Sequence, residues 1–283
     1  MSITSIKMSK YQGLGNDYIV IDPNKNQTQL RGKKIALLCE RSFGIGADGV
    51  LYGPILKEGK IYVNIYNADG SQTQASGNGI RIFAKYLMDE QYVNGKQFEI
   101  YTEKGFFCVE ALNDRGTEFR VGMGKASFWS EDIPVVGKVR EVVDEVFSFN
   151  EKNYRATCLS MGNPHCVILS ENVTKEEVKK LGPYVENAEI FPHRMNLQLM
   201  KVIDRHNIKI EIYERGVGYT LASGTGSCAA VATARRLGLV DKEVNVHQPG
   251  GSIEISLRED GEIYMTGSVE FVADLSVAES FLA

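Results

Sequence analysis

One short phrase occurs twice in this chain, and it constrains the fold more than any other feature. Ala75-Ser76-Gly77-Asn78-Gly79 returns as Ala222-Ser223-Gly224-Thr225-Gly226, and 223 − 76 = 147 residues separate the two serines. The context returns as well. A β-rich run ending in tyrosine precedes each copy (Tyr66, Tyr213), a threonine stands three residues before each serine (Thr73, Thr220), and an apolar helical run follows, at 80–88 and at 228–237. Strand, loop, Ser-Gly-x-Gly and helix thus recur at about half the chain length. That spacing predicts a duplicated domain and not a solenoid.

The phrase has a physical reading. Serine ahead of glycines at the start of an apolar helical run is a good N-cap, and glycine lets backbone N–H groups turn towards a ligand. Free N–H groups and the positive end of the helix dipole make such a terminus an anion site. Two of them, related by duplication, would grip one small anionic molecule from both sides. Either serine alone reads as an ordinary cap; the pair in matching context favours a site.

At 283 residues the chain accommodates two domains, each with a core of its own. A net charge of −4 gives no basic footprint, so nucleic acid is not an expected partner. No apolar run approaches the roughly 18 residues of a membrane span, so no membrane partner is expected. The first ten residues are polar and carry no signal-peptide core, which points to the cytoplasm. Cys39, Cys108, Cys158, Cys166 and Cys228 lack metal-ligand spacing and read as reduced thiols, the first four in apolar runs that predict core positions. The four histidines are dispersed, with no HExxH or similar pattern, so no metal is expected.

Patterning places strands at 18–21, 98–101, 105–110, 118–121, 157–159, 166–169, 252–257 and 262–266. Helices are predicted over 33–40 and about 175–181, besides the two that follow the serines. The glycine-rich run 43–49 lacks the P-loop lysine and the dinucleotide fingerprint, so no nucleotide site is read there. Gly122, Gly124 and the stretch to Pro134 read as a crossover. The expected halves are 1–124, completed by the alternating tail at 270–283, and 125–269. Strand-rich halves with one long helix each predict α+β, not a doubly wound parallel sheet. Asn16-Asp17, Asn67-Ala68-Asp69-Gly70, Gly162-Asn163-Pro164-His165, Asn196 and Glu214-Arg215-Gly216 sit where turns would expose them. Several asparagines and an arginine beside an anion site suit an amino-acid ligand.

Those stretches carry a resemblance. Gly13-Leu14-Gly15-Asn16-Asp17, Asn67-Ala68-Asp69-Gly70-Ser71, Ser76-Gly77-Asn78-Gly79-Ile80-Arg81, Met161-Gly162-Asn163-Pro164-His165, Glu214-Arg215-Gly216 and Ser223-Gly224-Thr225-Gly226 resemble diaminopimelate epimerases in order and spacing. Pro249-Gly250-Gly251-Ser252 also looks like that family. The resemblance implies two pseudo-symmetric α+β domains, each a barrel-like, mostly antiparallel sheet around a central helix, with the active site in the cleft between them. It implies cofactor-free, two-base epimerisation of LL- to meso-diaminopimelate, in lysine and cell-wall precursor biosynthesis. By matching position, Gly77, Asn78, Gly224 and Thr225 would hold the α-carboxylate, and Asn16, Asn67, Asn163, Asn196 and Arg215 the rest of the substrate. Glu214 and His165 would stand beside the reacting centre as catalytic residues. Gly49 lies where some members carry a substrate-contacting glutamine. The family is often dimeric, which extends here to an expected homodimer.

One departure stands out. The family has cysteine where this chain has Ser76 and Ser223. A thiol ordinarily titrates near pH 8.5 and falls several units at a helix N-terminus. A serine hydroxyl is far harder to ionise, a helix dipole of about 1–2 kcal/mol does not close that gap, and no activating partner is evident for either serine. Cys228, five residues beyond Ser223 on a helix, points about 140° away. The reading is an epimerase with both acid–base positions at Ser76 and Ser223 disarmed, a symmetric loss that fits deliberate double Cys→Ser replacement better than drift. Three alternatives stay open: a racemase of another amino acid such as histidine, a non-catalytic amino-acid-binding homologue, and an isomerase of the phenazine-biosynthesis type. The last uses a carboxylate, which neither repeat centre offers.

Overall fold

A computed structural model describes residues 5–26, 30, 32–73, 76–103 and 105–282. Ala75, Lys104 and Ala283 are among the residues outside that description. The first elements are β1 (Ser5–Gly13), β2 (Asn16–Ile21), α1 (Lys33–Cys39), β3 (Gly49–Lys57), β4 (Lys60–Asn67), β5 (Gln72–Thr73) and α2 (Gly77–Asp89). They are followed by β6 (Gln97–Thr102), β7 (Gly105–Ala111), β8 (Glu118–Lys125), β9 (Glu145–Phe149), β10 (Lys152–Ser160), β11 (Pro164–Leu169) and α3 (Lys175–Glu186). The remainder comprises β12 (Asn196–Asp204), β13 (Asn207–Glu214), β14 (Gly218–Thr220), α4 (Gly224–Arg236), β15 (Glu243–Gln248), β16 (Gly251–Leu257), β17 (Glu262–Ser268) and β18 (Glu270–Ala278).

Contacts divide the chain into unit 1, Met1–Val121 with Gly267–Ala283, and unit 2, Gly122–Thr266. In unit 1, β1 pairs antiparallel with both β2 and β18, β2 runs parallel to β3, β3 antiparallel to β4, and β6–β7–β8 form a meander. Unit 2 repeats that grammar. There β10 pairs antiparallel with β9 and β11, β11 runs parallel to β12, β12 antiparallel to β13, and β15–β16–β17 form the meander. The repeat is in register: 5 + 147 = 152 and 13 + 147 = 160 carry β1 onto β10, and the same offset carries β4 onto β13 and α2 onto α4 end for end. The fold is α+β in two like units.

Each repeat helix is the centre of its unit. Every residue of α2 from Gly77 to Leu87 is buried, and the helix touches β1, β2, β3, β7 and β18. α4 is buried from Ser227 to Ala234 and touches β10, β11, β12, β13, β15 and β16. A helix buried all round is a core element and not a surface one. The alanines of α4 (Ala229, Ala230, Ala232, Ala234) keep it thin enough for strands to approach from several sides.

Three expectations need correcting. α3 does not stop at Leu181 but runs through Gly182 and Pro183 to Glu186. Glycine is retained at 182 because a Cβ there would lie 2.3 Å from the Tyr213 ring, so the helix continues by lying flat on that ring. Cys108, expected in the core, is exposed, because β7 presents it on its solvent side. The strand expected over 118–121 does not end there, since β8 continues to Lys125 and carries the chain across the border between the units after Val121.

Candidate functional site

Each unit builds the same construction around the N-terminus of its buried helix. In unit 1, Ser76 is the N-cap of α2, extended at φ −148° and ψ 114°, and its Oγ accepts the Gly79 N–H at 3.1 Å. In unit 2, Ser223 caps α4 at φ −140° and ψ 118°, and its Oγ accepts the Gly226 N–H, also at 3.1 Å. By position, the N–H groups of Gly77, Asn78, Gly224 and Thr225 have no acceptor within their own helix. They are donors for an anion at the positive end of the dipole.

The residues around the first serine form one connected chain of hydrogen bonds. Arg81, fully buried, donates to Asn78 Oδ1 at 2.8 Å, and Asn78 Nδ2 donates to Asn16 Oδ1 at 3.2 Å. Asn16 Nδ2 then donates to Asp48 Oδ2 at 2.8 Å. Asp17 beside it is bound by Lys10 and Arg41. Burial alone would raise the Asp17 carboxyl; those two cations more than offset it and hold it below the usual carboxylate range. Asn67 belongs to a tight turn, its N–H on the Ser71 carbonyl at 2.8 Å and its Nδ2 donating to Ser71 Oγ at 3.0 Å.

The sequence did not announce Tyr18. Its phenol oxygen stands 3.1 Å from Ser76 Oγ, with the ring buried. Room for the ring comes from Gly49: a Cβ there would meet the ring at 2.5 Å and the Tyr66 carbonyl oxygen at 2.4 Å. A glutamine at 49 has no space beside this tyrosine. Ser76 therefore has a side-chain partner after all.

Unit 2 surrounds its serine differently. Ser223 N–H donates to Gln248 Oε1 at 3.1 Å, and Ser227 Oγ donates to the Ser223 carbonyl at 2.8 Å. Asn163 Nδ2 donates to Thr225 Oγ1 at 3.4 Å. Behind Asn163 lies His165, fully buried, with Nε2 3.0 Å from Asn163 Oδ1 and Nδ1 3.1 Å from Gln198 Oε1. Burial pushes its pKa down to about 4, so the ring is neutral at pH 7. A neutral ring has one N–H. Donated to Asn163, it leaves Nδ1 as an acceptor, which a half-turn of the Gln198 amide satisfies with an Nε2 that is otherwise without a partner. His165 orients Asn163, and both its nitrogens are engaged in doing so. Asn196 is likewise committed to the backbone, donating to the Pro164 carbonyl at 2.7 Å and accepting the Arg215 N–H at 2.8 Å. Half-buried Glu214 ends β13 and exposed Arg215 opens the turn after it, where one of its guanidinium nitrogens donates to the His193 carbonyl at 2.9 Å.

The offset of 147 that relates the serines also relates Asn16 to Asn163, Tyr18 to His165, Gly49 to Asn196, Asn67 to Glu214 and Asn78 to Thr225. Applied to His165, it is the signal that would have found Tyr18. Gln198 and Gln248 had no such signal, because their role is set by partners distant in sequence. Among the described residues, no three His, Cys, Asp or Glu side chains come together as a metal site. No described helix is long and apolar enough to cross a membrane.

A profile of diaminopimelate epimerases matches residues 8–129 and 157–272, most of the chain. The chain belongs to the diaminopimelate epimerase family. It is therefore of an isomerase family. Diaminopimelate epimerase 2 of Nostoc sp. is 46% identical over 279 residues, 98% of this chain and 98% of that relative. The diaminopimelate epimerase of Methanothermobacter thermautotrophicus is 37% identical over 278 residues, 95% of this chain and 97% of the relative. The fold extends further than the family does. A probable proline racemase from Agrobacterium radiobacter, 14% identical, aligns with a TM-score of 0.69 over 96% of this chain and 93% of its own.

Proposed function

We propose that this epimerase-family chain takes LL-diaminopimelate and its meso isomer as ligands, with Ser76 and Ser223 occupying the two proton-transfer positions on opposite faces of one α-carbon. The observation that carries the reading is the matched pair of capped helix termini. Each has a hydroxyl on an N3 amide at 3.1 Å and two further amide donors beside it. The amides of Gly77, Asn78, Gly224 and Thr225 would take the α-carboxylate and the charge that develops as the α-proton leaves. Asn16 and Asn67 in one unit, and Asn163 in the other, would meet the ammonium and carboxylate groups. Arg215 would take the distal carboxylate as a charge-assisted pair. His165 and Asn196 serve by holding Asn163 and Arg215, and Glu214 is the acid beside Arg215.

With serine at both positions, proton abstraction is slow: the hydroxyl is a weak acid and a helix terminus contributes only about 1–2 kcal/mol. The chain is proposed to bind without turnover at a useful rate, as a double Cys→Ser form of an epimerase would. The reaction needs no cofactor in this reading. The test is calorimetric titration with LL- and meso-diaminopimelate, following solvent deuterium at the α-carbon in the same samples. Binding without exchange, and exchange regained in Ser76→Cys/Ser223→Cys, is the expected result. A double variant inert towards every diamino acid would sink the reading.

A further inference from the structure

The offset that aligns the two half-sites also exposes where they differ. Unit 2 has Asn196 and His165 where unit 1 has Gly49 and Tyr18. The Asn196 side chain fills its position, and the smaller imidazole of His165 is committed to Asn163 and Gln198, 3.0 and 3.1 Å from its nitrogens. In unit 1 the place of a side chain at 49 is filled by the phenol ring itself, since a Cβ there would lie 2.5 Å from it. The ring thereby reaches the helix terminus, its hydroxyl 3.1 Å from Ser76 Oγ. The pair Gly49–Tyr18 thus answers to Asn196–His165, with a different outcome at the capping atom.

We propose that Tyr18 is a positioning residue for the proton-transfer atom at position 76, with His165 committed elsewhere in unit 2, so that the two bases of the reaction are chemically unequal. The inference rests on the two-base reading above. Ser76 Oγ already accepts one backbone N–H, from Gly79. A phenol hydroxyl, whose own proton ordinarily leaves only near pH 10, is a second donor to the same atom. When that atom carries negative charge, both donors favour it, and a hydrogen bond to the charged form lowers the pKa. The counterpart atom at 223 receives the Gly226 amide. A thiol at 76 is therefore the stronger acid of the two, and Tyr18 also fixes the direction in which the atom at 76 points.

The test uses full-length Ser76→Cys and Ser223→Cys, each with and without Tyr18→Phe. Alkylation by iodoacetamide is followed against pH by fragment-ion mass spectrometry that assigns the adduct to position 76 or 223, which separates 223 from the buried Cys228 five residues on and leaves out Cys108 and the other native thiols. The midpoint is compared and not the absolute rate, because Ser223 is the more buried of the two. Tyr18→Phe keeps the ring and is expected to move the midpoint at 76 up by about one pH unit, slowing alkylation about tenfold near neutrality. The midpoint at 223 is expected to stay where it was. Gly49→Ala, which displaces the phenol from beneath, should move position 76 in the same direction. An unmoved midpoint at 76, or equal movement at both positions, overturns the proposal. The readout is independent of turnover. A shifted thiol with no epimerisation in the doubly restored chain would overturn the substrate reading and leave this one standing.

Discussion

Asn78 donates to Asn16 only because Arg81 holds its amide oxygen from behind, at 2.8 Å. Arg81 is fully buried, one turn into α2, and the space against it is closed by Gly267, where a Cβ would come within 3.1 Å of its guanidinium carbon. Arg81→Met keeps most of the volume but drops a charge-assisted hydrogen bond, worth about 1.5–3 kcal/mol. The urea midpoint should fall by the corresponding amount, and ligand affinity should fall with it; a variant that binds normally would detach Asn78 from the site. Gly49→Ala asks a packing question at the same scale. Against the Tyr66 carbonyl and the Tyr18 ring, the added methyl should cost about 1–3 kcal/mol of stability, and an unchanged melting temperature would contradict the packing described. This is also the scale at which the sequence was least legible. The asparagines and serines stood out because turns and caps use them. Tyr18 read as one more apolar strand residue, and only its partner 58 positions along the chain shows what its hydroxyl does.

Elements were easier to read than residues, and their ends harder than their existence. The helices after the serines follow from cap, glycines and apolar run, and they begin where the capping serine puts them. The end of α3 was misread because glycine followed by proline usually stops a helix, whereas here Tyr213 supplies a surface for Gly182 to lie on. Two principles therefore oppose each other at Gly182→Ala. Helix propensity favours alanine by about 1 kcal/mol, and a methyl 2.3 Å from the ring carbon of Tyr213 opposes it. Overpacking of that severity costs about 1–3 kcal/mol, so chemical denaturation should show a net loss; a gain would mean that the ring yields freely. The caps allow a second comparison. Thr174 caps α3 through the Glu177 N–H at 3.2 Å, as Ser223 caps α4. Alanine at either position should cost about 1 kcal/mol, and a much larger loss at 223 would assign that serine a structural burden beyond capping.

For the whole molecule, acidity is the simplest global lever, and His165 sets its direction. The folded ring titrates near pH 4 because burial disfavours its cation; in the unfolded chain it titrates near 6.5. Between those values the unfolded state holds the extra proton, so stability rises with pH and is lost as pH falls from about 6.5 towards 4. Asp17 acts lower down. Its carboxyl is held below the ordinary range by Lys10 and Arg41 against the effect of burial, so its contribution persists above about pH 3.8 and disappears only as pH falls through its folded value. Urea midpoints at pH 7 and pH 5 should therefore differ, and His165→Asn should shrink the difference while lowering both. An undiminished difference in that variant would place the titration elsewhere.

The pairing of β18 with β1, eight Cα partners from Ser5↔Ala278 to Gln12↔Glu270, has a consequence in time. Unit 2 is one uninterrupted stretch, whereas unit 1 receives its closing strand only after all of unit 2 has been made. A ribosome builds from the N-terminus, and domains fold as units as they emerge. The second-made unit is then the first able to finish, while β1 waits with one edge unpaired. A released chain ending at Ser268, which has all of β17 but not β18, should yield a protease-resistant fragment from unit 2 and leave unit 1 open to cleavage. Unit 1 equally resistant in that shortened chain would contradict the order.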